Sequence, residues 1–149
     1  VGTLTHIDDF GMTEEFIGIT GSATKRFVIT SWLEPDPYPR AEVEFLPELT
    51  WDSRLEGQKM LLELEVRNLL SRAQQYGELP WSADTEISDD PVAGTWQLAG
   101  ILPLAPEQSH ILLCSESMKD LIERSLAMCE GANRYLDSLG DEPESESER

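Results

Sequence analysis

Few side chains in this sequence stand at spacings that support chemistry. Gly18-Ile19-Thr20-Gly21-Ser22-Ala23-Thr24-Lys25 offers glycines and a lysine. A phosphate loop, however, needs Gly-Lys-Ser/Thr in succession, so that backbone amides, ammonium and hydroxyl converge on phosphate and magnesium. The spacing is wrong, and Gly21-Ser22 reads as a hairpin turn. His6 and His110, the only two histidines, lie in different halves without the neighbours of a metal-ligand motif or a triad, and both are expected at the surface or in local caps. Ser115, Ser117 and Lys119 could form a serine–lysine pair, since a lysine of depressed pKa deprotonates a serine hydroxyl, yet these serines stand where a helix begins and read as caps. Cys114 and Cys129 each follow an apolar residue and are expected as buried small hydrophobes rather than reactive thiols. Asp8-Asp9 and Asp89-Asp90 lack the carboxylate count and the twelve-residue loop of a calcium hand and read as turn and cap residues. No catalytic residue, metal ligand or cofactor follows from the pattern, and no substrate-binding residue is assigned.

The elements that would position any site change character near residue 50. Before it, Ala41, Val43 and Phe45 alternate with Glu42 and Glu44, which predicts a strand over residues 40–46 with one wet face. Residues 25–33 read as a central strand, because Phe27 and Ile29 on one face and Val28 and Trp32 on the other call for burial on both sides. Residues 15–20 form a further strand, joined to it through Gly21-Ser22. The run Pro35-Asp36-Pro37-Tyr38-Pro39 cannot supply ladder donors and is a loop. Val1-Gly2-Thr3-Leu4 reads like the interior of a strand.

After residue 50 the spacing is helical. Ser53 with Glu56 predicts a capping box, and Leu61, Leu62, Leu64, Val66, Leu69, Leu70 and Ala73 follow before Gly77 stops the helix. That wide stripe calls for packing between the sheet and other helices. Asp90-Pro91 caps and opens a short helix through Trp96, Leu98 and Ala99, ended by Gly100 and Pro103. A short helical turn follows Pro106. A last helix runs from Met118, with Leu121, Ile122, Leu126, Cys129, Ala132 and Leu136 on one face, to Gly140. Trp32, Tyr38, Trp51 and Trp81 stand near loops, where an aromatic can anchor a partner, but at a seam between sheet and helices they more naturally complete the core.

The chain has 149 residues, enough for one domain in two halves that buries roughly 68–70% of its unfolded surface without disulfides or metal. Against 29 Asp+Glu stand 11 Lys+Arg, a formal net charge of −18, which repels nucleic acid and anionic membrane surfaces. The last nine residues carry five acids and one Arg, leaving −14 on the rest, so the acidity is not confined to the tail. That Glu-Ser tail, residues 140–149, is too polar to fold and is expected to be disordered. Two isolated cysteines fit a reducing cytoplasm, and no apolar run approaches the roughly 20 residues of a membrane span.

Taken together, Val1-Gly2-Thr3, Lys25-Arg26-Phe27-Val28-Ile29, the run from Tyr38 to Leu46, and Asp89-Asp90-Pro91 through Ile101-Leu102-Pro103-Leu104 resemble the substrate-binding (N-terminal) domain of Lon-type proteases. Glu107-Gln108, Ile111-Leu112-Leu113 and Leu121-Ile122-Glu123-Arg124 continue the resemblance to about Leu139. It implies an α+β fold over residues 1–139. A bent antiparallel sheet of PUA-like pseudo-barrel type, residues 1–50, would be followed by a helical bundle, residues 51–139. It also implies a non-catalytic module that recognises unfolded polypeptide or, alternatively, an adaptor that docks one protein partner. The ATPase phosphate loop and serine–lysine protease module of whole Lon proteases have no counterpart here. Family members place a proline-punctuated strand region ahead of the Val-Gly-Thr strand, so the expectation is a domain lacking its first part. An exposed sheet edge would then favour a homodimer.

Overall fold

The computed structural model describes residues 1–13 and 15–140. The chain divides into two compact units, Val1–Glu48 and the residues from Leu49 onward. The first is an open antiparallel sheet of order β1-β2-β3, built from β1 (Gly2–Met12), β2 (Ile17–Leu33) and β3 (Arg40–Phe45). With the four helices that follow, the fold is α+β, as expected, and β2 is the central strand. The expected disorder of the tail concerns residues that, from 141 on, lie outside the described ones.

Gly21-Ser22 is not a turn. β2 runs straight through it, with Gly21 opposite Ile7 and Ser22 opposite His6. The chain reverses between the end of β1 and the start of β2, where Thr13 N–H donates to the Phe16 carbonyl at 2.9 Å. The Thr13 hydroxyl oxygen accepts the Glu15 and Phe16 amides at 3.3 and 3.1 Å. A threonine hydroxyl can stand in for a backbone acceptor and so close a turn with no glycine in it. Gly21 serves another purpose: a Cβ there would lie 2.6 Å from Thr5 Cγ2 and 2.8 Å from the His6 carbonyl oxygen, so its bareness permits close strand approach.

Three residues fall out of register: Asp8 on β1, and Thr24 and Thr30 on β2. Each threonine at a bulge donates its hydroxyl to the partner strand, Thr24 to the Leu4 carbonyl at 3.0 Å and Thr30 to the Glu42 carbonyl at 3.2 Å. These bonds anchor the extra residue where the ladder is interrupted. β1 covers β2 from Ile17 to Phe27, whereas β3 covers it from Phe27 to Leu33. Only around Phe27, opposite both Gly2 and Phe45, is the sheet three strands wide. Burial on both sides of residues 25–33 therefore does not occur. Arg26, Phe27 and Val28 are half-buried, and the rest of β2's second half is exposed. Phe27 lays its ring across Gly2, where a Cβ would come within 2.8 Å of it.

In the second unit a 3-10 turn (Ser53–Leu55) leads into α1 (Glu56–Ala73), followed by α2 (Pro91–Gly100), α3 (Pro106–Leu113) and α4 (Met118–Gly140). The expected Ser53 cap is replaced by Asp52, whose carboxylate accepts the Arg54 amide at 2.9 Å and pairs with its guanidinium. A charge-assisted bond outcompetes a serine hydroxyl, and Arg54 holds the Asp52 carboxyl down at about 2. α1 also stops at Ala73, before Gly77. Gln74, Gln75 and Tyr76 donate back to Leu70, Arg72 and Ala73, so the last turn unwinds without a glycine cap. The Asp90 carboxylate accepts the Ala93 amide at 2.7 Å and caps α2, as its sequence predicts.

The core of this unit is formed by Leu62, Val66, Leu69 and Leu70 of α1, Leu98 of α2, Leu112 of α3, and Met118, Leu121, Ile122, Cys129 and Leu136 of α4. Leu61 and Leu64 stay exposed, so the buried stripe of α1 is narrower than its apolar pattern. Arg72 ties α1 to α4 through Asn133 Oδ1 at 2.6 Å and Asp137 Oδ1 at 2.5 Å. Arg67 holds Glu63 and donates to the carbonyls of Ala83 and Thr85, which fixes the long connection before α2. Trp51 packs on the core, whereas Trp32, Tyr38 and Trp81 remain exposed instead of completing it.

Candidate functional site

Residues opposite one another in an antiparallel pair share a face of the sheet, and faces alternate along each strand except at a bulge. Applied to the β1–β2 ribbon, this rule gathers Ile7, Phe10 and Met12 with Ile17 and Ile19 on one face, through the pairs Phe10 with Ile19 and Met12 with Ile17. All five are between 58% and 71% exposed. From Lys25 back to Ile17 the ribbon is two strands wide, and among the described residues no third strand pairs with either of its edges.

The opposite face of the same ribbon is polar. It carries His6, Ser22 and the bulged Asp8, whose carboxylate accepts from the Ser22 hydroxyl at 2.5 Å and lies 3.1 Å from His6 Nδ1. Those bonds, Ser22 first and His6 second, hold the Asp8 carboxyl below its ordinary value. Serine, histidine and aspartate thus meet, but in an order unsuited to nucleophilic catalysis. A triad needs the imidazole between hydroxyl and carboxylate, to take the proton from the nucleophile; here the carboxylate stands in the middle. The cluster braces the bulge. Sequence reading overlooked it because the spacing of His6 and Asp8 shows only once β1 extends past Leu4, and Ser22 joins only when Gly21-Ser22 belongs to a strand.

Near Phe27 the apolar face changes sides. Phe27 and Ile29 pair with Phe45 and Val43, and Trp32 with Ala41, on the face that carries His6 and Asp8 farther along. Lys25 lies on this face too, its Nζ 5.7 Å from the centre of the Phe45 ring, a cation–π contact.

The residues singled out for chemistry in the helical unit do structural work. Ser117 Oγ accepts the Asp120 amide at 3.1 Å, a helix cap, and Lys119 reaches Glu123 at 3.6 Å one turn on. Cys129 is buried, and burial chiefly, with the nearby Glu65, pushes its thiol up to about 11. Cys114 is half-buried, not fully so as expected, with Sγ 3.9 Å from His110 Nε2. Among the described residues no cluster of three or more His, Cys, Asp or Glu is placed to hold a metal ion, and no helix is long and apolar enough to cross a membrane. A half-open cleft of about 290 Å³ is lined by Leu70, Leu79, Trp81, Ile101, Pro103 and Leu104 among others.

Residues 1–130 match the family model of the ATP-dependent protease La (LON) substrate-binding domain. The chain belongs to that family. A comparison with curated proteins found no match. The LON substrate-binding domain is a non-catalytic domain, and the family description suggests work in substrate recognition, with which protein binding and proteolysis fit. For this LON domain that work directs attention away from the Ser22–Asp8–His6 cluster and toward its exposed apolar surface.

Proposed function

We propose that this LON domain binds polypeptide chains that expose apolar segments, as unfolded or damaged proteins do, and acts without catalysing a reaction on them. The observation that carries the reading is the solvent-exposed row of Ile7, Phe10, Met12, Ile17 and Ile19 on one face of the β1–β2 ribbon. Such a row offers apolar contact, while the strand edges beside it, which no strand among the described residues pairs, offer main-chain donors and acceptors to an extended chain. The two free cysteines fit a reducing cytoplasm as the place of work.

Calorimetric titration of the chain with a permanently unfolded protein and with the same protein folded tests this. Binding of the unfolded form alone, weakened by joint substitution of Phe10→Ser and Ile19→Ser, is the expected result. Binding of neither form would turn the reading toward an adaptor for one folded partner, to be sought by pull-down.

A further inference from the structure

The apolar row lies in strongly anionic surroundings. From Val1 to Thr24 the sequence carries Asp8, Asp9, Glu14 and Glu15 and not one lysine or arginine. Asp8 is exposed, its carboxylate accepting from the Ser22 hydroxyl and lying 3.1 Å from His6 Nδ1. By the register, Asp8 and Asp9 fall on the face behind the apolar row, opposite Thr20. Glu15 lies in the turn beside Ile17. A two-stranded ribbon is thin, and its charges act around its edges within the Debye length of about 8 Å at physiological salt. The whole chain, at −18, adds a long-range field of the same sign.

We propose that the β1–β2 ribbon selects apolar segments flanked by lysine or arginine. The apolar side chains would lie on Ile7, Phe10, Met12, Ile17 and Ile19, while the flanking cations reach around the ribbon toward Asp8, Asp9 and Glu15. This rests on the recognition reading above and narrows it by charge. A second copy of the chain is a poorer occupant, since two such ribbons bring acids together and like charges oppose association. An acidic apolar segment meets the same repulsion. Long aliphatic stems suit the arrangement, because lysine and arginine cover apolar surface with their methylenes while the charged head stays in water.

The test uses four fluorescent peptides against the full chain, read by anisotropy. Three share one apolar core flanked by lysines, by glutamates or by serines, and the fourth keeps the lysines with a glycine–serine core. The lysine-flanked apolar peptide should bind about tenfold or more tighter than its glutamate counterpart at about 50 mM salt, and the gap should close toward 500 mM. Phe10→Ser should weaken it, and Glu15→Gln, which touches an exposed turn only, should shrink the lysine preference without loss of fold. Equal binding of the three apolar peptides overturns the charge selection and leaves polypeptide recognition standing. Equal binding of both lysine peptides reduces the site to ion pairing and overturns the proposal. If no peptide binds, both readings fall. A dimer by light scattering that Phe10→Ser dissolves would make a second copy the occupant instead.

Discussion

The two units handle the same kinds of side chain in opposite ways. From Leu49 onward, leucines, isoleucines and a methionine lock together until Leu62, Val66, Leu69, Leu98, Leu121 and Ile122 have no accessible surface left. From Val1 to Glu48 none of the described residues is buried, although the strands are rich in isoleucine, phenylalanine and valine. Apolar content alone therefore does not make a core; a second layer does. Each helix of the second unit turns one stripe toward another helix. Each half of the sheet is a two-stranded ribbon held by its ladder and its bulge threonines, a kind of structure that is marginal by itself. The helical unit gains its stability from burial, and the sheet leaves its apolar surface available for contact.

Burial can be probed by deletion of methyl groups in both units. Leu69→Ala should cost about 2–5 kcal/mol in urea unfolding, because it opens a cavity in packed surroundings. Ile19→Ala, on an exposed cross-strand pair, should stay within about 1 kcal/mol. Equal losses would break the comparison and mean that the ribbon face is covered in solution. Cys129 sharpens it from the helical side. With its thiol near 11 rather than 9, it carries about a hundredfold less thiolate than an ordinary cysteine at pH 8, and alkylation should be slower by that factor until the chain is unfolded. The folded state holds this proton more tightly than the unfolded one. The associated stability is thus complete below pH 9 and falls as pH rises from about 9 to about 11.

Glycines provide a finer contrast. Gly94→Ala should lose about 1–3 kcal/mol, since its Cβ would come within 2.6 Å of the Ser88 carbonyl oxygen. Gly131→Ala in α4, where a Cβ meets nothing, should gain roughly 0.5–1 kcal/mol, both read as midpoint shifts in urea. The smallest effect belongs to the polar face of the ribbon. Ser22→Ala should raise the Asp8 carboxyl toward its ordinary 3.8, as followed by carbon NMR titration. With its pKa lowered in the fold, Asp8 contributes stability above about 3.8 that is lost as pH falls, and the variant should shorten that loss. An unchanged titration would show that the hydroxyl bond does not form in solution.

Much of this was legible from residue types. Asp90-Pro91 marked the start of α2, the leucine spacing marked α1, and the alternation of Glu42 and Glu44 with Ala41, Val43 and Phe45 marked β3. The aspartate at position 52 took the capping place that Ser53 promised, because both residues can cap and only their surroundings choose between them. The exposed face was half visible: Ile17 and Ile19 share a face by period two, but Ile7, Phe10 and Met12 joined them only through the pairing of β1.

The sequence by itself determined the change from strands to helices near residue 50, the order of the helices, the acidic composition and the family resemblance, since periodicity, caps and charge act over a few neighbouring residues. Only the tertiary structure decided that Gly21 is a place of close strand approach, that Ser22 meets Asp8, and that the apolar face changes sides near Phe27. Those outcomes depend on register between strands some 20 residues apart and on three bulges. Each bulge shifts the alternation by one residue, and local pattern carries no record of where that shift falls.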